Sequence, residues 1–109
     1  MRAMILAAGR GERLKPLTNC IPKCLVKVRN ETLLERHFHM LKGAGVSEVV
    51  INLGWLGEKI VDFVGTGARF GLEVNYSYED DKILETGGGI VKALPMLGDK
   101  PFWVINGDI

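Results

Sequence analysis

Four short apolar runs rich in β-branched residues, Arg2–Leu6, Glu48–Leu53, Leu72–Tyr78 and Pro101–Ile105, punctuate the sequence, each bounded by Gly, Asn or Asp. Segments of helical period lie between them. Glu31–Leu41 repeats Leu33, Leu34, Phe38 and Leu41 at helical spacing, opens with the capping-box pair Thr32 and Glu35, and stops at Gly43 and Gly45. Leu56, Ile60 and Phe63–Val64 predict a second helix closed by Gly65 and Gly67, and Ile90–Leu94 a third ended by Pro95. This alternation leaves few solutions. Right-handed crossovers between successive strands make the sheet mostly parallel and doubly wound. In such sheets ligands sit at the carboxyl ends of the strands, so the chemistry is expected just after Leu6, Leu53, Tyr78 and Ile105.

Composition narrows the partners. A chain of 109 residues, 47% hydrophobic and 25% charged, supports a single core and one domain over residues 1–109. A formal charge of +1, with Lys, Arg, Asp and Glu scattered along the chain, gives no basic stripe for nucleic acid or anionic membrane. The apolar start MRAMILAAG runs straight into Gly-rich polar sequence, with no cleavage pattern and no span of ~20 apolar residues, so a cytoplasmic location is expected. Cys20 and Cys24 lack a second Cys or His pair that would complete a zinc site.

The first strand empties into LAAGRGERLKPLT, Leu6 to Thr18, where glycines and small alanines let backbone N–H groups approach a phosphate and three basic side chains can neutralise it. A dinucleotide fingerprint would need a further glycine where Leu14 stands, and a P-loop would need Gly-Lys before Ser or Thr. An ordinary Gly-rich turn is the plain alternative. Lys23, behind Pro22 at the start of an extended segment, joins Arg13 as a second cation flanking the loop. Nucleotidyl transfer adds negative charge at an anionic α-phosphate, and fixed cations answer that need; a solvated surface lysine is the other reading of Lys23. In LETGGGIVKAL, Thr86, Gly87 and Gly88 lead into the third helix, where exposed backbone can read the edge of a base or sugar. WVINGDI ends a strand in Asn106-Gly107-Asp108: Asp108 is a magnesium ligand at the sheet edge, or part of a simple Asn-Gly turn.

LAAGRGERLKPLT, PKCL, ETGGG and NGD in this order closely resemble the signature of the sugar-1-phosphate nucleotidyltransferases. The stretches NLGWLGEKI, GARFGLEVNYSYE and LETGGGIVKALPML look most like the N-acetylmuramate-1-phosphate uridylyltransferases and the mannose-1-phosphate guanylyltransferase-like proteins within that family. The resemblance runs from Met1 to Ile109 and implies the front portion of a Rossmann-like nucleotidyltransferase fold, a mostly parallel α/β sheet with helices on both faces. By the same resemblance, the backbone of Leu6, Ala7, Ala8, Gly9 and Gly11 holds the nucleotide, and Arg13 grips the phosphates on the pyrophosphate side. Lys23 binds the α-phosphate or the sugar phosphate, Thr86, Gly87 and Gly88 lie by the base, and Asp108 ligates Mg²⁺. The implied substrates are a nucleoside triphosphate, UTP before GTP, and the 1-phosphate of an amino or carboxylated sugar. Cys24 stands where the motif commonly has Pro or Ala. The family's second metal-binding Asp and most of its sugar-reading residues fall beyond Ile109.

Two rival readings remain. A non-catalytic nucleotide-binding or regulatory module would not need Arg13, Lys23 and Asp108 together, and a nicotinamide-dependent oxidoreductase would want an acid where Asn52 and Leu53 end the second strand. His37 and His39 lie on different faces of the first helix and are read as packing or solvent, Trp55 as a packing aromatic, and Glu79, Asp80 and Asp81 as a solvated turn without catalysis. The apolar strand before Asp108 wants a neighbour on each side, so a chain without further residues is expected to self-associate and to be catalytically silent.

Overall fold

The computed structural model describes residues 1–8, 21–54, 56–79 and 86–107. Four parallel strands, β1 (Arg2–Leu6), β4 (Glu48–Leu53), β5 (Glu73–Tyr78) and β6 (Phe102–Asn106), form one sheet in the order β5-β4-β1-β6. β2 (Lys27–Val28) and β3 (Glu31–Thr32) make a separate two-stranded hairpin. Its turn is Arg29-Asn30, both at positive φ (56° and 69°), the geometry whose twist matches flanking strands.

The strands follow the sequence reading to within one residue. Met4 and Val50 are buried on one face of the sheet, and Ala3, Ile5, Val49, Ile51 and Leu53 on the other, as near-continuous apolar runs require of central parallel strands. On the second face α1 (Leu33–Gly43) and α2 (Gly57–Val64) supply Leu34, Phe38, Leu41, Ile60 and Val64. Each large side chain buried there contributes about 2 kcal/mol of transfer free energy. On the first face α3 (Thr86–Leu97) sets Ala93 and Leu97 on Met4 and Val50. Helices therefore cover both faces, as expected.

The capping box forms as read. Glu35 N–H donates to Thr32 Oγ1 at 3.0 Å, and Thr32 N–H donates to Glu35 Oε1 at 3.2 Å. His37 is buried on the core face of α1, while His39 is exposed with its Nδ1 3.5 Å from a Glu31 oxygen. The third helix differs from the reading. It begins at Thr86, so the glycines expected to precede it form its first turn, and it continues through Pro95 to Leu97. Fully buried Leu97 holds the last turn on the sheet, and Gly98 closes it in the left-handed region (φ 79°) with its N–H donating to Leu94 O at 3.1 Å. A second difference concerns Lys23, which belongs to a 3-10 turn, Lys23–Leu25, and not to an extended segment. Buried Cys24 packs that turn onto the core, and extension resumes only at Lys27.

Candidate nucleotide site

The register aligns the carboxyl ends of all four strands in one row, Asn106, Leu6, Asn52 and Ser77. The chain steps from β1 to β4 and β5 in one direction, whereas β6 joins the other side of β1. The strand order therefore reverses between β1 and β6, the place where open α/β sheets leave a crevice for ligands. The two segments singled out for phosphate and metal leave the sheet on the two sides of that crevice.

Three neighbours fix the exit of β1. From the β6 side, Gly107 N–H donates to Leu6 O at 2.9 Å. A Cβ at Gly107 would stand 2.9 Å from that same oxygen and 3.1 Å from Ile5 Cγ2, so only glycine permits this approach. From the β4 side, the Asn52 side chain accepts from Ala7 N–H, and Gly54 lies so close to Ala8 that an added Cβ would come within 2.8 Å of its carbonyl oxygen. From below, the Lys23–Leu25 turn brings Cys24 Cβ to 3.7 Å from the Gly107 Cβ position. Lys23 is thus carried to the β1–β6 crevice by its buried neighbour.

The amino end of α3 points to the same edge. Its carboxyl end is tied to the opposite edge by Arg2 Nη1 donating to Leu97 O at 2.9 Å, and Lys92 reaches forward to donate to Tyr78 O at the carboxyl end of β5. The first-turn N–H groups of Thr86, Gly87 and Gly88 lack helical partners and form the positive end of the helix.

Of the sequence candidates, Leu6, Ala7 and Ala8 lie at this edge with the Lys23 turn beside them, and the helix that starts at Thr86, Gly87 and Gly88 has its amino end toward the same edge. Gly9, Gly11, Arg13 and Asp108 lie outside the described residues, as do Cys20, Trp55, Asp80 and Asp81. One expectation is overturned: Glu79, read as part of a solvated turn, is 6% exposed. Its N–H donates to Leu53 O at 2.8 Å, continuing the β5 ladder inward, and its Oε1 accepts from Asn52 Nδ2 at 3.1 Å. The signal for Asn52 was present in EVVINL, a strand buried along its length whose single amide needs a partner. Gly54 carried no such signal, because its role depends on what lies across from it. Beside this edge a hollow of about 340 Å³ is lined by Gly54, Glu58, Asp62, Tyr78 and Glu79. Among the described residues no group of His, Cys, Asp and Glu is placed to hold a metal, and no helix is long and apolar enough to cross a membrane.

The profile of the nucleotidyl transferase family matches residues 2–109. The chain is 52% identical over 109 residues to the N-acetylmuramate alpha-1-phosphate uridylyltransferase of Neisseria meningitidis, covering 100% of the chain and 47% of that protein. It is 38% identical over 108 residues to the enzyme of the same name from Caulobacter vibrioides, covering 97% of the chain and 45% of the relative. The crystal structure of HddC from Yersinia pseudotuberculosis complexed with GMP-PN superposes with a TM-score of 0.85 at 33% identity, over 98% of this chain and 47% of that one. The chain spans about half the length of the curated relatives it matches.

Proposed function

The chain belongs to the nucleotidyl transferase family, and from that premise we propose that it forms the nucleotide-binding part of a cytoplasmic sugar-1-phosphate nucleotidyltransferase. The observation that carries this is the fixed exit of β1 at the point where strand order reverses, with Gly107 bonded to Leu6 and the Lys23 turn packed beneath both. A dinucleotide fold would instead use a third glycine and an acid at the end of β4, where this chain has Leu14 and Asn52-Leu53.

In the reaction, an oxygen of the sugar phosphate attacks the α-phosphorus of the triphosphate. The new phosphorus–oxygen bond forms as the bond to the bridging oxygen breaks, and pyrophosphate leaves with the electron pair. The backbone from Leu6 through Ala7, Ala8, Gly9 and Gly11 holds the triphosphate. Arg13 meets the charge gathering on the departing pyrophosphate, and its planar guanidinium suits two phosphate oxygens at once. Lys23 places a point charge at the α-phosphate or at the incoming sugar phosphate. The N–H groups at Thr86, Gly87 and Gly88 contact the base. Asp108, next in sequence to Gly107, would hold Mg²⁺, which is usually bound by one or two carboxylates together with phosphates and water. When bound, it neutralises phosphate charge. UTP is the favoured nucleotide, since both curated relatives described above are named uridylyltransferases, and the GMP-PN complex of HddC makes GTP the second choice.

The test is pyrophosphate release with magnesium, a panel of nucleoside triphosphates and sugar 1-phosphates, run on this chain and on the product of the whole reading frame. We expect the chain to bind nucleotide without turnover, and the whole product to release pyrophosphate fastest with UTP. Nucleotide binding without release from either would favour the regulatory module. Light scattering on the chain alone tests self-association, which we attribute to edge strand β6, where Trp103 is 55% and Val104 43% exposed. Val104→Lys is expected to shift it toward monomer.

A further inference from the structure

Asn52 occupies the last-but-one position of a buried strand and is itself 4% exposed, yet both ends of its amide are used. Its Oδ1 accepts from Ala7 N–H, the first backbone donor beyond β1, and its Nδ2 donates to Glu79 Oε1 at 3.1 Å. The Glu79 oxygen accepts and the Ala7 N–H donates, so the two partners together set the amide: nitrogen toward Glu79, oxygen toward Ala7. Glu79 is held in turn by its own N–H on Leu53 O, 2.8 Å away. Burying a carboxylate beside an amide is a poor route to stability, because desolvation offsets much of the attraction. What the pair does accomplish is local. It fixes Ala7 from the side while Gly54, just beyond β4, packs on Ala8, so two consecutive residues of the outgoing loop are set from the β4 side.

We propose that Asn52, oriented by Glu79, is the positioning residue that aims the phosphate-binding loop. The inference rests on the nucleotide reading of that loop. Asn52 touches no reacting atom; it acts through the Ala7 backbone.

The test exploits the direction of the hydrogen bonds. Asn52→Asp gives an acceptor toward Ala7 but sets a second carboxylate against Glu79, and the pair resists double ionisation. Glu79→Gln combined with Asn52→Asp restores the pattern with donor and acceptor exchanged, since the Gln amide then donates to the Asp carboxylate. Calorimetric titration with magnesium–UTP and with UMP, alongside melting temperatures, separates positioning from folding. We expect Asn52→Asp to weaken UTP by about tenfold and UMP by far less, because the loop serves the β- and γ-phosphates, and the double variant to return to within about threefold of the unaltered protein. Equal loss for UTP and UMP, unchanged UTP affinity in Asn52→Asp, or a double variant no better than the single one would overturn the inference. Should Asn52→Asp fail to fold, the double variant is compared with Asn52→Ala/Glu79→Gln, which removes the charge but offers Ala7 no acceptor; equal UTP affinity of those two overturns it as well. An unaltered protein that binds neither UTP nor GTP refutes the nucleotide reading itself, and the positioning role falls with it.

Discussion

The two ends of the sheet are built from similar residues used in opposite ways. At the amino end, Arg2 pairs with Glu48 across β1 and β4 and also donates to Leu97 O, with both charged side chains only half-buried. At the carboxyl end, Asn52, Ser77 and Glu79 are buried, and Asn52 spends its hydrogen bonds on the outgoing backbone and on Glu79. The larger hollow, about 660 Å³, lies at the amino end between Met1, Ser47, Asp99 and Pro101, at the opposite edge of the sheet from Ala7, Ala8 and Gly107. Space is therefore a poor guide here. What separates a fastening from a site is whether the polar groups point outward into water or inward onto a loop that must hold still. Variants at the carboxyl end should alter binding and turnover, and variants at the amino end should alter stability alone.

The largest expected effect comes from the reacting phosphates. Arg13→Ala in the whole protein is expected to lower turnover about 10²- to 10³-fold, the usual cost of losing one donor that acts in the transition state. Steady-state kinetics checks it. A raised Michaelis constant with unchanged turnover would make Arg13 a ground-state contact and weaken the contrast between the ends. On the proposed reading Lys23→Ala removes a single charge that serves the same phosphates, and it is expected to reduce both affinity and rate, each by about tenfold. Calorimetry with magnesium–UTP and the same assay measure the two losses, and wild-type values for both would remove Lys23 from the site.

The amino end and the core were the more legible half of the molecule. Strand boundaries followed from apolar runs, and Thr32 with Glu35 gave the start of α1, because these signals are local in sequence. The end of α3 escaped because Pro95 is a local stop signal, whereas Leu97 is held by Met4 and Val50 from distant strands. Glu79 was misread for the same reason: as one of three acids it resembles a solvated turn, and only the fold delivers Asn52 to it. The motifs after β1 and β6 could be singled out as candidates from their residues alone. Their meeting through Gly107 and Leu6 could not, since nothing in either segment specifies the register of β1 with β6.

Gly54→Ala sharpens the comparison with a single methyl group. Its Cβ would stand 2.8 Å from Ala8 O and 3.1 Å from Ala8 Cβ, so the loop has to move by several tenths of an ångström. Such a shift is small for folding and large for a row of N–H groups that must meet phosphate oxygens. UTP affinity is expected to fall about fivefold to tenfold with the melting temperature little changed. A drop in stability with full affinity retained would mean that the loop tolerates displacement.

The smallest effect belongs to the amino end, and Arg2→Met isolates it by keeping an apolar stem of similar reach while removing the guanidinium. The half-buried pair with Glu48 contributes about 0–1 kcal/mol, and the bond to Leu97 O about 1 kcal/mol, so the expected loss is roughly 1–2 kcal/mol. Denaturant titration should show the midpoint falling with no change in slope, and added salt should narrow the gap to the unaltered protein because the ion pair is screened. UTP affinity should stay within about twofold, since Arg2 lies at the opposite end of β1 from Ala7 and the intervening strand is fixed by ladders on both sides. The helix offers one route by which this could fail: releasing Leu97 frees the carboxyl end of α3, whose amino end lies toward the edge that carries the site. A marked loss of UTP affinity in Arg2→Met would show that α3 carries strain from one edge to the other, and that the two ends act as one device.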